Sequence, residues 1–124
     1  MKIYTRGGDG GETALLGGGR VGKGHSRIDA MGDVDELNAT LGWALTEVED
    51  ALVRARLESI QHDLFALGAE IATRQPEPGR TKPQTPGLPT GRTAELEGWI
   101  DEAETELPPL TAFVLPGGVP AAAA

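Results

Sequence analysis

From Arg27 onward the chain places apolar residues at steps of three and four. Ile28, Met31, Val34, Leu37, Leu41, Leu45 and Val48 fall on one helix face. Ser26 is the expected N-cap, and Asp29 sits in the first turn, where the helix dipole favours an acid. A second stripe, Val53, Leu57, Ile60, Leu64, Leu67 and Ile71, alternates steps of four and three, a seam that asks for facing helices. A third helix is expected to start near Thr93 as N-cap and run through Leu96, Trp99, Ile100, Ala103 and Leu107 to Pro108-Pro109.

Prolines divide these segments. Residues 75–91 hold Pro76, Pro78, Pro83, Pro86 and Pro89 with Gly79 and Gly87, so this stretch reads as an exposed, semi-rigid loop. After the third helix come the apolar run Phe113-Val114-Leu115 and then Pro116-Gly117-Gly118-Val119-Pro120 before four alanines. Proline followed by alanines is how a helix begins. A domain seldom stops where a helix starts, so the chain is expected to be C-terminally truncated, a frayed terminus being the alternative. The predicted class is all-α. It is an up-and-down bundle in one domain over residues 1–124, with about three helices and the start of a fourth.

Charge sharpens the division. The net charge of −8 argues against a nucleic-acid partner or an anionic membrane surface. Residues 1–27 nevertheless carry five bases against two acids, +3, and nine of the 18 glycines, while the remaining 97 residues carry −11. Glycine backbone mixed with Arg and Lys suits wrapping around an anion, the alternative being a flexible arm. The acids Glu95, Glu97, Asp101, Glu102, Glu104 and Glu106 read as a solvated helix face. Without cysteine there is no disulfide, thiolate metal site or thiol nucleophile, and His25 and His62 are too few for an all-His site. No signal-peptide core and no run of about 18 apolar residues occurs, so a soluble, cytoplasmic protein is expected.

Three segments are candidates for chemistry. In residues 5–13, TRGGDGGET, backbone N–H groups with Thr5 and Thr13 can hold polyphosphate oxygens. Arg6 adds charge, and Asp9 helps place Mg²⁺ or orient the loop. Residues 17–24, GGGRVGKG, resemble a Walker A loop but put Gly24 where Ser or Thr must ligate Mg²⁺, and no parallel-sheet pattern surrounds them. Lys23 remains a candidate phosphate contact. In residues 27–38, Asp29, Asp33 and Glu36 crowd one helix flank. That arrangement asks for a cation, an Arg partner or a subunit interface, unless it is simply a solvated first turn. Gly32 within this helix suggests close approach by another chain or a ligand.

Taken in order, the segments resemble the PduO-type ATP:cob(I)alamin adenosyltransferases. TRGGDGGETALLGGGRVGK is similar to that family's T-R-T-G-D-x-G-x-T…G-x-R-V-x-K opening. RIDAMGDVDELNATLG is similar to R-x-x-A-x-G-x-V-D-E-L-N-x-x-L-G, and LPPLTAFVLPGGVPAAA to L-P-P-L-x-x-F-x-L-P-G-G-x-x-x-A-A. The resemblance implies a five-helix bundle that assembles as a homotrimer with its site between subunits. The implied reaction transfers the 5′-deoxyadenosyl group of ATP to the cobalt of cob(I)alamin and releases triphosphate. By matching positions, Thr5, Arg6, Gly8, Asp9, Gly11, Thr13 and Lys23 would line the ATP site within loop residues 1–25, with Mg²⁺ arriving on ATP. Phe113 would wall off the lower face of the corrin, and no residue acts as acid or base. Asp35 would pair with an Arg of the next subunit, beyond Ala124.

Departures accompany the likeness. Gly7 replaces a Thr, Gly10 a Lys or Asp, Met31 a Tyr, and Val119 a capping Thr or Ser. The family's Arg-rich fourth helix and the Asn of its fifth lie outside these 124 residues. Two other readings share the first half of the site: a non-catalytic helical module that binds a nucleotide or a partner, and an inactive fragment of the enzyme.

Overall fold

The computed structural model describes residues 2–74, 79 and 81–123, so Pro76, Pro78 and Ala124 of the segments above lie outside the described residues. A short antiparallel hairpin, β1 (Glu12–Ala14) and β2 (Arg20–Gly22), precedes the helices α1 (Ser26–Glu47), α2 (Ala51–Ala72), α3 (Arg92–Glu104) and α4 (Pro120–Ala123). The helical class expected from the apolar stripes holds. The hairpin was not foreseen: strands of three residues are too short to show a period of two.

The helix starts differ in detail from expectation. Ser26 is the first residue of α1 rather than its cap, because the His25 ring Nδ1 accepts from the Arg27 amide at 3.1 Å and does the capping itself. Asp50 caps α2 in the usual way, its Oδ1 accepting from the Val53 amide at 2.8 Å. Thr93 does not cap α3. Gly91 does, in left-handed backbone and without a side-chain bond, and α3 begins at Arg92. The third helix also stops at Glu104, short of Leu107. Its last turn holds acids and no base, which the negative end of the dipole disfavours, and the chain continues in tighter three-residue turns to Leu107. At Pro120 a helix does begin, as the proline–alanine pattern implied.

α1 and α2 form the body, packed antiparallel, and α4 lies against α1. Three polar ties set their register. At one end Arg27 of α1 donates to the carbonyls of Ile71 (2.5 Å) and Thr73 (3.2 Å). At the crossing, Asn38 Nδ2 donates to the Gln61 carbonyl at 3.3 Å and Gln61 Nε2 to the Asn38 carbonyl at 2.9 Å. At the other end Arg54 of α2 donates to the carbonyls of Leu45 and Val48. Neither helix has a base in its own last turn, so each receives its C-terminal cation from the other.

The core is thin: among the described residues only Ala44 and Leu45 of α1, Ala66 and Ala72 of α2, Thr73 after it and Leu15 of the hairpin are buried. Two stripe positions face outward, Leu37 at 50% and Val53 at 42% exposure. An apolar groove of about 530 Å³ runs between the helices, lined by Ile28, Met31, Val34, Leu64, Phe65 and Gly68 among others.

α3 runs antiparallel to α2 and has no buried residue. Charge and stacking hold it there. Arg56 pairs with Glu102, and Arg92 pairs with Asp63 at 2.6 Å and Glu95 at 2.7 Å. The two guanidinium carbons stand 5.3 and 5.7 Å from the centroid of Trp99, a double cation–π contact. Thus Glu95 and Glu102, expected on a purely solvated face, serve as ion-pair partners. Residues 81–89 form neither helix nor strand, as the prolines require.

Asp50→Ala is expected to destabilise the fold by about 1 kcal/mol, the usual worth of an N-cap side chain. Urea denaturation followed by helix signal checks this. The midpoint should fall with no change in the slope of the transition.

Candidate functional site

The Gly-rich opening is folded, not a free arm. Residues 6–9 make a turn, the Asp9 amide donating to the Arg6 carbonyl at 3.3 Å, and Arg6 itself has φ +60°. Left-handed backbone costs a residue with a Cβ roughly 1–2 kcal/mol, so the turn is held by its surroundings. Part of the hold is the Arg6 guanidinium stacked on Tyr4, 5.4 Å from the ring centroid. The Thr5 hydroxyl accepts from the Gly7 amide at 3.3 Å, and Gly11 donates to the Gly8 carbonyl at 3.1 Å.

Lys23 returns to this turn from the far side of the hairpin. Its amide donates to the Gly11 carbonyl at 2.8 Å, and its side chain lies over Gly8. A methyl added at Gly8 would stand 3.3 Å from Lys23 Cε and 3.4 Å from Nζ. Thr13, half-buried in β1, pairs with Val21 of β2. So Thr5, Arg6, Gly8, Asp9, Gly11, Thr13 and Lys23 are brought together in one loop and hairpin. Asp9 is the single carboxylate among the first eleven residues, and it is exposed.

Arg20 was missing from the candidate residues, and it is the clasp of this loop. Its Nη2 donates to the carbonyls of Gly7 and, at 3.1 Å, of Glu12, and its Nε pairs with the Glu12 carboxylate at 3.4 Å. The signal that finds it is the hairpin register. Ala14 faces Arg20 and Glu12 faces Gly22, which makes Glu12 and Arg20 a diagonal pair of opposite charge. Without the register, Arg20 reads as one base among several.

At the other end, the hairpin turn rests on the helices. Leu16 and Thr73 form a parallel bridge, the Leu16 amide donating to the Ala72 carbonyl at 3.0 Å and the Arg74 amide to the Leu16 carbonyl at 2.8 Å. Gly17, Gly18 and Gly19 all have φ between +83° and +103°, where a Cβ is strained. Space is tight at two of them as well. A Cβ at Gly17 would stand 3.0 Å from the Arg74 carbonyl, and one at Gly19 would stand 2.9 Å from Arg74 Nη1.

Two expected residues stand apart. Asp35 is an exposed carboxylate on the wall of the α1–α2 groove. Phe113 is fully exposed beside exposed Val114 and Leu115. Among the described residues neither makes a hydrogen bond or ion pair with the loop. Gly32 also lines the groove, and no atom of another element comes within 4 Å of a Cβ placed on it.

The family model described as cobalamin adenosyltransferase matches residues 3–124. The chain belongs to the cobalamin adenosyltransferase family. It is 49% identical over 120 residues to a cobalamin adenosyltransferase of Cupriavidus metallidurans, covering 94% of this chain and 59% of the relative. It is 43% identical over 117 residues to the corrinoid adenosyltransferase PduO of Citrobacter freundii, covering 94% of this chain and 34% of that protein. The chain therefore spans about three-fifths and one-third of these two relatives. A solved structure of a variant PduO-type ATP:corrinoid adenosyltransferase from Lactobacillus reuteri, complexed with cobalamin and ATP, superposes with a TM-score of 0.83. It is 31% identical, over 97% of this chain and 66% of that one. A second variant from that organism, complexed with ATP, gives 0.75 at 32% identity, over 93% of this chain and 63% of that one.

Arg20→Ala is expected to free the loop while leaving the helices intact. Losing a partly exposed, charge-assisted clasp worth about 1 kcal/mol should speed amide exchange in residues 7–12 about fivefold. Hydrogen exchange read by mass spectrometry checks it, with helix signal unchanged.

Proposed function

We propose that this chain carries the ATP-binding half of an adenosyltransferase site. There the 5′-deoxyadenosyl group of ATP passes to the cobalt of cob(I)alamin and triphosphate leaves. Lys23 folded against Gly8 supports the nucleotide half of that reading most directly. It sets a cation over side-chain-free backbone, the arrangement a polyphosphate needs. Family membership, and the ATP and cobalamin in the Lactobacillus reuteri complex, support the choice of substrates.

The chemistry asks little of acids or bases. Cobalt(I) supplies the electron pair that forms the bond to C5′, and the bond from C5′ to the triphosphate oxygen breaks with its pair leaving on oxygen. The protein's task is to hold the two partners in line and to stabilise the departing anion. In this reading Thr5, Thr13 and the backbone of Gly8 and Gly11 bind phosphate oxygens, while Arg6 and Lys23 supply countercharge. Mg²⁺ fits this donor set only as a companion of ATP, since Glu12 is paired with Arg20 and Asp9 alone is left to orient its hydration. Phe113, an exposed aromatic ring on a short apolar run, would cover the lower face of the corrin. With a lower ligand excluded there, cobalt is easier to reduce.

The rest of the proposal concerns context. Residues 1–124 act as one domain, with 1–25 as the ATP loop and 75–91 as a surface loop. The chain assembles as a homotrimer in which Asp35 pairs with an Arg of the next subunit. It works in the cytoplasm. No described helix is long and apolar enough to cross a membrane, and the net charge of −8 disfavours nucleic acid.

Two measurements test this reading. A chain extended to the length of its relatives, mixed with ATP and cob(I)alamin, should show the visible spectrum change to that of adenosylcobalamin and release triphosphate; an unchanged spectrum would sink the proposal. In the same protein, Asp9→Ala should raise the KM for ATP about tenfold, the scale of a lost charged contact, with little effect on the KM for cobalamin. Equal effects on both would remove Asp9 from the nucleotide loop.

A further inference from the structure

The C-terminus of α2 ends in an unusual way for a helix end. It has no glycine cap and no base of its own, and Thr73 leaves it in extended backbone at φ −84°, ψ 121°. Its last carbonyls are orphaned by helix geometry and need donors from elsewhere. They receive them from two places in the N-terminal segment. Arg27 Nη1 donates to Ile71 and Thr73, and the Leu16 amide donates to Ala72 between them. Three successive carbonyls are thus taken by residues that lie on either side of the hairpin turn, β2 and Lys23.

Residues 16–27 are consequently closed into a ring whose two ends both sit on residues 71–74. Leu16 is held from above and below by Ala72 and Arg74, and Arg27 is held by Ile71 and Thr73. Inside that ring lie Arg20, the clasp of the Gly-rich loop, and Lys23, the cation over Gly8. The platform itself is firm. Thr73 is buried, and its hydroxyl donates to the Ala69 carbonyl at 2.7 Å. Arg27 is half-buried and is the only side chain that ties the trailing end of the ring to this platform among the described residues.

The geometry points to Arg27 as a positioning residue of the nucleotide loop: through the carbonyls of Ile71 and Thr73 it sets where Lys23 and Arg20 stand. Arg27 touches no ligand in this role. The inference rests on the nucleotide reading of the loop given above, and it concerns a residue to which that reading assigns no part.

A plain helix cap has the same contacts, and the fold contains its own control. Arg54 donates to the Leu45 and Val48 carbonyls at the opposite end of the same helix pair, where only the short α1–α2 connection lies and no Gly-rich segment is attached. If Arg27 serves only as a cap, Arg27→Ala and Arg54→Ala should behave alike. If it positions the loop, they should diverge.

The experiment compares both variants in the 124-residue chain by Mg·ATP titration and by amide hydrogen exchange. Arg27→Ala is expected to weaken ATP binding by about tenfold to a hundredfold, the scale of a displaced contact group, and Arg54→Ala by less than about twofold. Exchange at Leu16, Lys23 and Arg74 should quicken in Arg27→Ala alone. Equal changes in the two variants, in affinity and in exchange, would overturn the inference. If the unaltered chain does not bind ATP, the nucleotide reading fails for this chain, and the exchange comparison still decides the role of Arg27. Should Arg27→Ala not fold, Arg27→Lys takes its place, keeping the charge but not the reach to two carbonyls. Faster exchange at Leu16 and Arg74 in that variant supports the inference, and unchanged exchange overturns it.

Discussion

Everything in this chain depends on the exchange of arginines between α1 and α2. Each helix ends without a cation or a glycine to satisfy its final carbonyls, and each takes an arginine from the start of the other. With Asn38 and Gln61 bonded across the middle, the pair is fixed at both ends and at its crossing. That matters because apolar burial alone sets the register weakly here. Alanines make up half of the buried set, and no side chain among the described residues is completely enclosed. Small residues let the backbones come close, but they give few interlocking shapes to choose one sliding position over the next. Directional bonds to carbonyls make that choice, because a slip of one turn would leave buried donors and acceptors unpaired.

The same end of the helix pair carries the N-terminal segment. A loop with nine glycines has much conformational entropy to lose, and a hairpin of two three-residue strands is not stable alone in water. Docking Leu16 on the last carbonyls of α2, and closing the segment again at Arg27, shortens the free length that must be ordered. Arg20 then draws Gly7 and Glu12 together, and Lys23 lies across Gly8. Lys23 thereby stands beside side-chain-free backbone within a folded loop. In the nucleotide reading proposed above, preorganisation of that kind would lower the cost of binding a highly charged leaving group.

Along α2, α3 is attached by another device. Trp99 between two arginines, each paired with a carboxylate, replaces the apolar burial this acidic helix lacks. The open α1–α2 groove, with exposed Phe65 on its wall, and the apolar run through Phe113 leave considerable hydrocarbon uncovered for a chain of this size. Such surface is the mark of something that meets a partner or a ligand.

Much of this was legible in the residues. The three- and four-residue steps located α1, α2 and α3, Pro120 located α4, and three ordered segments carried the family. Charge and glycine counted separately for residues 1–27 marked the loop. The helix caps at His25 and Gly91 and the end at Glu104 were not legible, since they turn on one bond or one dihedral. Nor was the hairpin, whose strands are shorter than any period. Arg20, Arg27 and Arg54 looked interchangeable as bases in a list. Sequence by itself determined which segments are helical and which chemistry is concentrated at the N-terminus, because periodicity and composition are local properties of the chain. Only the tertiary structure decided which carbonyls each arginine reaches, because those partners lie six to forty-six residues away.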